Sequence, residues 1–151
     1  MRSEFLPFTR PSVSEEAIAE VAECMRSEWM ATGPRVKQFE KDLSDYLSGV
    51  NVMTCTSGTA ALFMALKAMG IGEGDEVITS PITFAATLNS IVHVGAKPVL
   101  VDIEEGTYNI DVSKIEEKIT PKTKAILPIH FAGLAVDLDE IYSLSRKHSL
   151  V

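Results

Sequence analysis

Apolar residues recur every three or four positions in the first part of the chain, and this spacing predicts two amphipathic helices. Ser12 with Glu15 fits a capping box at the start of the first helix. Its apolar positions are Ile18, Val21, Ala22, Met25 and Trp29. The sequence Thr32-Gly33-Pro34 breaks the pattern, and the second helix is predicted to end near Gly49. We interpret residues 1–50 as an N-terminal helical segment.

After residue 50 the pattern changes to short apolar runs separated by helical segments. Strands are predicted at 50–55, 76–79, 97–101 and 124–129, with a further one beginning at 150–151. Between them we predict a buried helix that opens at Ser57, a helix at 82–93, and helices capped by Asp111 and Asp137. Strands that alternate with helices indicate the α/β class, with a mostly parallel sheet and flanking helices over residues 51–151.

Charge and hydropathy exclude several classes of partner. The 151 residues carry a net charge of −7 without a Lys/Arg run, which argues against nucleic acid and anionic membrane surfaces. The uncharged stretch from Val77 to Ala96 contains Pro81 and several polar residues, so it is a poor candidate for a membrane span. We find no signal peptide and expect a cytoplasmic protein.

Cysteine and histidine placement predicts neither a disulfide framework nor a metal site. Cys24 lies in an amphipathic stretch and Cys55 in an apolar one, so we expect both to be reduced thiols in the core. The three histidines are too scattered along the chain to form a metal-ligand set.

The sequence Thr56-Ser57-Gly58-Thr59, between a predicted strand and a helix, is the first candidate for chemistry. Small residues at a helix start let its free N–H groups approach an anion, and the helix dipole favours negative charge there. Ser57 and Thr59 hydroxyls are able to donate to phosphate oxygens, and Gly58 permits close approach of the backbone. Taken alone, the motif is better explained by Ser57 acting only as a helix cap.

The second candidate follows the strand predicted at 76–79, at the edge of the sheet where open α/β folds bind ligands. Phe84 is suited to present a ring face to a flat heteroaromatic ligand, although a core position is the better explanation of a Phe considered in isolation. Thr83, Thr87 and Asn89 place several polar groups in a segment otherwise suited to burial.

Longer runs of sequence carry a family resemblance. The runs SGTAAL at 57–62, GDEVITSPITFAATLNSIVHVGAKPVLVDIEEGTYNID at 74–111 and ITPKTKAILPIHFAG at 119–133 resemble the DegT/DnrJ/EryC1/StrS aminotransferases. The segment from Trp29 to Pro34 is similar to the N-terminal motif of the same family. The resemblance implies the large domain of fold-type-I enzymes that depend on pyridoxal 5′-phosphate (PLP), present here in incomplete form.

The resemblance also implies substrates and site residues. Family members transfer an amino group from glutamate to a nucleotide-linked keto-sugar, in polysaccharide or secondary-metabolite biosynthesis, and work as homodimers. By matching position, Ser57, Gly58 and Thr59 are expected to hold the phosphate of PLP or its amine form PMP, and Phe84 to stack on the pyridine ring. Asn89 is expected to support the cofactor site. Thr32 and Gly33 are expected near the substrate.

The family's catalytic lysine and the carboxylate that pairs with the pyridine nitrogen are expected beyond Val151. No lysine of this chain matches the family position, so we assign no catalytic residue and expect the isolated chain to be inactive. Two alternatives stay open at this stage. One is a non-catalytic domain that binds PLP, a nucleotide sugar or another subunit, and the other is part of a PMP-dependent sugar dehydratase of the same family.

Overall fold

A computed structural model describes residues 5, 7 and 9–151. The chain divides into two compact units, the first ending at Thr54 and the second running from Cys55 to Val151. The described elements are helices α1 (Glu15–Arg26), α2 (Pro34–Tyr46), α3 (Gly58–Ala68), α4 (Ala85–His93) and α5 (Leu138–His148), strands β1 (Glu76–Thr79), β2 (Lys97–Leu100) and β3 (Thr123–Leu127), and 3₁₀ turns at Val112–Lys114, Glu116–Lys118 and Phe131–Gly133.

The two helices predicted for the first unit are present, with different boundaries at the first. Ser14, and not Ser12, caps α1, and its hydroxyl accepts the Ala17 N–H at 3.2 Å. Because α1 ends at Arg26, Trp29 lies beyond it and not on its apolar face. The predicted break at Gly33-Pro34 is confirmed: Gly33 is the N-cap of α2 and Pro34 its first residue, where a missing N–H has no cost.

The strand predicted at 50–55 is wrong. A strand requires a hydrogen-bonded neighbour, and none of the described residues forms a strand ladder with this segment. The backbone N–H of Thr54 instead donates to the Glu40 carboxylate at 2.8 Å, and the Thr54 hydroxyl donates to the same oxygen at 2.8 Å. These two hydrogen bonds lower the pKa of Glu40.

A parallel sheet forms the centre of the second unit, as predicted. The described strands lie in the order β2-β1-β3, with Ile78 of β1 opposite Val99 on one side and Ile126 on the other. Val151 extends the sheet beyond β3: its N–H donates to the Lys124 carbonyl, and its carbonyl accepts from the Ile126 N–H, both at 2.9 Å. This pairing agrees with the strand predicted to begin at 150–151.

Successive residues of β1 point to opposite faces of the sheet and into different parts of the core. Val77 packs with apolar residues of α3 and α4, among them Leu66 and Ile91. Ile78 packs on the other face in a cluster that includes Ile115 and, from α5, Ile141. Helices therefore cover both faces of the sheet, which confirms the α/β fold class.

Three predictions about the second unit are corrected. Within α3, which is described in full, Leu66 alone is buried, because only the side towards the sheet and α4 is covered. The helix predicted after Asp111 is two short 3₁₀ turns, although Asp111 does cap the first of them. Cys55 is exposed and is not a core thiol, whereas Cys24 is half-buried.

No helix in the described part of the chain has the length and apolar character needed to cross a membrane.

Candidate functional site

The start of α3 presents backbone donors to solvent. Ser57 caps the helix from an extended backbone, and its hydroxyl accepts the Ala60 N–H at 3.1 Å. The next amide, that of Ala61, donates to the Ser57 carbonyl at 3.0 Å. The N–H groups of Gly58 and Thr59 have no acceptor among the described residues. Capping by Ser57 thus leaves two N–H groups at the helix start free to bind an anion.

Space and charge around this helix start also suit an anion. A Cβ built on Gly58 would meet no heavy atom within 4 Å, so the backbone is open to a ligand at that point. Lys67 is the single charged residue in the sequence from Cys55 to Gly72. No carboxylate of this segment therefore reduces the positive potential at the start of α3.

Phe84 is an exposed aromatic side chain on a fixed backbone. The residue is 82% exposed and directly precedes α4, so its interpretation as a core residue is wrong. Its carbonyl accepts the Thr87 N–H at 3.0 Å. The segment before it is held by a hydrogen bond of 2.7 Å between the hydroxyls of Thr83 and Thr87, and by donation from the Ile82 N–H to the Ser80 hydroxyl at 3.2 Å. The ring face is available to a ligand while its attachment point is fixed.

The packing of α3 against α4 brings these two features to one side of the sheet. Ser90 of α4 is fully buried, and its hydroxyl lies 3.4 Å from the carbonyl oxygen of Thr59 in the first turn of α3. Phe84 precedes Ser90 by six positions, which corresponds to roughly 9 Å along a helix axis. Phe84 also follows the carboxyl end of β1, the edge at which open α/β sheets bind ligands. Sequence reasoning missed Ser90, although its spacing from Thr83 and Thr87 was visible.

Asn89, the remaining predicted cofactor residue, also lies on α4. Its side chain is exposed and forms no hydrogen bond with any described residue. The structure therefore places Asn89 on the same helix as Ser90 without giving it a supporting contact. Its role in the site stays a prediction.

Thr32 and Gly33, the predicted substrate residues, lie in the first unit beside Trp29. The indole N–H of Trp29 donates to the Thr32 carbonyl at 3.1 Å, and Gly33 is buried beneath the ring. Trp29 itself is 57% exposed and lines a cavity of about 640 Å³ together with Met30, Gly33 and Arg35. The sequence pattern placed Trp29 among the apolar positions of the first helix, but it lines a surface cavity.

His130 follows β3 and has a structural contact. Its Nδ1 accepts the Val136 N–H at 3.1 Å, which fixes the turn after the strand. Asn109, which the sequence did not single out, is buried and fixes the same loop. Its side-chain amide donates to the Leu134 carbonyl at 3.1 Å and accepts the Phe131 N–H at 2.9 Å. Both residues stabilise the carboxyl edge of the sheet by contacts within the protein.

The second unit thus has two free N–H groups at a helix start and an exposed aromatic ring at the same side of a parallel sheet. A ligand that carries a phosphate on a flat ring has both of the groups that these features bind.

Curated proteins with related sequences are known. A curated relative, the spore coat polysaccharide biosynthesis protein SpsC of Bacillus subtilis, is 49% identical over 149 residues, which are 99% of this chain and 38% of the relative. An uncharacterised protein of Methanocaldococcus jannaschii, MJ1066, is 46% identical over 99% of this chain and 39% of its own length. The chain therefore spans less than two fifths of the length of these relatives.

Solved structures share the fold. Spr1654 of Streptococcus pneumoniae, assigned as a sugar aminotransferase and solved in PLP, PMP and apo forms, superposes with a TM-score of 0.89 at 40% identity, over 94% of this chain and 36% of its own. NtdA of Bacillus subtilis with bound PMP gives a TM-score of 0.85 at 40% identity, over 88% of this chain and 31% of its own. The model of the DegT/DnrJ/EryC1/StrS aminotransferase family matches residues 11–151. The chain belongs to this family, as the sequence motifs predicted.

Proposed function

We propose that this chain is the cofactor-binding N-terminal part of a PLP-dependent aminotransferase that transfers an amino group from glutamate to a nucleotide-linked keto-sugar. Family membership and the PLP and PMP forms of the superposed structure support the cofactor. The names of SpsC and Spr1654 support a sugar substrate in polysaccharide biosynthesis. The observation that carries the proposal is the exposed ring of Phe84 at the start of α4. Ser90 of the same helix contacts the first turn of α3.

The residues at the start of α3 fit the phosphate of this cofactor. In the proposed site the free N–H groups of Gly58 and Thr59 donate to phosphate oxygens, with the hydroxyls of Ser57 and Thr59 as further donors. Ser57 is able to do this while capping, because its hydroxyl accepts from Ala60 through a lone pair and retains its proton. The open space beside Gly58 admits the anion.

Phe84 fits the ring of the cofactor, and Asn89 is proposed to support the same site. Because the Phe84 carbonyl is held by the Thr87 N–H, the backbone that carries the ring loses little freedom on binding. When bound, PLP supplies the electron sink for moving an amino group, and the protein residues orient it. In the first unit, Thr32 and Gly33 are proposed to lie near the sugar substrate.

Catalysis by this chain alone is not expected, because no lysine in it matches the family's catalytic position. Borohydride reduction in the presence of PLP is therefore expected to leave no adduct at a unique lysine. We further propose that the full-length enzyme is a homodimer, which is consistent with the exposed apolar side chains of α1 and α2, among them Val21, Met25 and Phe39. Sedimentation velocity on the full-length protein tests the dimer.

PMP is the suitable probe for the cofactor site, because its amine does not react with surface lysines as the PLP aldehyde does. Calorimetric titration of the chain with PMP is expected to give saturable binding of one molecule. Inorganic phosphate is expected to compete, and pyridoxamine, which lacks the phosphate, is expected to bind more weakly. Absence of saturable PMP binding, or equal binding of pyridoxamine, would refute the proposed site.

A further inference from the structure

Helix α4 and the residue before Phe84 carry three hydroxyl groups. Thr87 and Ser90 are three positions apart and lie on the same side of α4, whereas Thr83 precedes the helix and reaches Thr87 through a hydrogen bond between their hydroxyls. Thr87 is 4% exposed and Ser90 is fully buried. Hydroxyls are costly to bury unless they are hydrogen-bonded, and an apolar side would pack at lower cost. We call these three residues the hydroxyl seam.

The three hydroxyls of the seam make two connections within the second unit. The bond of 2.7 Å between Thr83 and Thr87 ties the segment before Phe84 to the first turn of α4. The Ser90 hydroxyl donates to the Ala86 carbonyl at 2.7 Å, and its oxygen lies 3.4 Å from the Thr59 carbonyl. The seam therefore runs from the backbone that carries the Phe84 ring to the first turn of α3.

We propose that the hydroxyl seam sets the spacing between the Phe84 ring and the N–H donors at the start of α3, so that Thr87 and Ser90 are positioning residues for a phosphorylated ring ligand. This inference rests on the proposed function. A ligand whose phosphate and ring are joined by one short link gains from both contacts only when the two subsites have the matching separation. Inorganic phosphate, which uses one subsite, is insensitive to that separation.

This difference separates positioning from a purely structural role. If the seam only stabilised the fold, loss of a hydroxyl would lower the unfolding temperature and leave the relative affinities for PMP and phosphate unchanged. If it sets the spacing, the affinity for PMP falls while the affinity for phosphate alone is retained.

The test uses Thr87→Val and Ser90→Ala, singly and together, in the 151-residue chain, with Thr87→Ser as the conservative variant. Val92→Ala is the matched control, because Val92 lies on the same helix and is 56% exposed. Calorimetry measures the dissociation constants of PMP, pyridoxamine and inorganic phosphate for each variant. Thermal unfolding checks that each variant is folded at the titration temperature.

Thr87→Val and Ser90→Ala are each expected to weaken PMP binding by about five-fold, the effect of losing one hydrogen bond. Phosphate binding is expected to change less than about two-fold, and Thr87→Ser and Val92→Ala to bind PMP like the wild type. Unchanged PMP binding in both hydroxyl variants, or an equal loss for PMP and phosphate, overturns the inference. Ser90→Ala, the smaller change, decides the question if Thr87→Val does not fold. Failure of the wild-type chain to bind PMP rejects the proposed function itself and the inference with it.

Discussion

The indole ring of Trp29 occupies the space into which a side chain at Gly33 would project. A Cβ on Gly33 would lie 2.1 Å from Nε1 of Trp29, far inside van der Waals contact. The backbone of Gly33 is extended, with φ −163°, so glycine is needed here for close approach and not for its conformational freedom. The same indole donates to the Thr32 carbonyl, and the turn before α2 is therefore built around the ring.

Gly33→Ala is expected to displace Trp29 and destabilise this turn. The free energy of unfolding is expected to fall by about 1–3 kcal/mol, the usual cost of overpacking a core site. Because Trp29 is the single tryptophan of the chain, its fluorescence reports this turn during urea unfolding. The expected result is a lower unfolding midpoint and a shifted emission maximum in the folded variant. Gly106→Ala, where a Cβ meets no atom within 4 Å, is the control. Wild-type emission and midpoint in Gly33→Ala would contradict the packing described.

Phe84→Ala is expected to separate binding from stability. The ring is 82% exposed, so its removal is expected to change the free energy of unfolding by less than about 0.5 kcal/mol. Loss of a stacking partner worth about 0.5–1.5 kcal/mol lowers PMP affinity by about two- to ten-fold, measured by calorimetry. Tyr142→Ala, which removes an aromatic side chain from α5, is expected to leave PMP affinity unchanged. Equal PMP affinities for Phe84→Ala and the wild type would remove Phe84 from the site.

Glu76, at the start of β1, gives the second unit an acid-sensitive contact. Its carboxylate accepts from the Thr120 hydroxyl at 2.7 Å and from the Lys97 ammonium at 3.1 Å. These contacts, that of Thr120 first, lower its pKa below the ordinary value. A lowered pKa in the folded state stabilises the protein above the unfolded-state pKa of about 4.3, and this contribution is lost as the pH falls through the folded-state pKa.

Glu76→Gln is accordingly expected to be less stable than the wild type at pH 6, with the difference shrinking as the pH is lowered towards 3. Urea unfolding at a series of pH values measures this convergence. The control, Glu105→Gln, removes an exposed carboxylate of the same charge and is expected to keep the wild-type dependence on pH. A stability difference between Glu76→Gln and the wild type that does not vary with pH would show that the carboxylate charge does not contribute.

The sequence predicted those elements whose cause is local. The apolar run of β1 and the cap formed by Asp137 on α5 depend on neighbouring residues, and both were predicted at the correct position. The conformation of 50–55 depends on a strand partner, which hydrophobicity within the segment does not reveal. The exposure of the outer side of α3 could not be predicted for the same kind of reason. The sequence shows that Phe63 and Met64 are suited to burial, but not whether another element covers them.

The candidate site was predictable to a similar degree. Ser57, Gly58 and Thr59 were recognised from a local strand–turn–helix pattern and from family motifs, and the structure places them at a helix start with free donors. Ser90 was missed because its contact with Thr59 joins residues 31 positions apart. A buried serine in a helix resembles any small core residue until the neighbouring helix is placed beside it.

Ser57→Asp tests directly whether the start of α3 binds a phosphate group. Aspartate is as good an N-cap as serine, and the helix dipole stabilises its negative charge at this position. The unfolding temperature is therefore expected to equal or exceed that of the wild type. The same negative charge repels a phosphate. Ser57→Asp is therefore expected to lose calorimetric PMP binding while remaining fully folded. PMP binding by Ser57→Asp as tight as that of the wild type would contradict it, and would leave Ser57 as a helix cap alone.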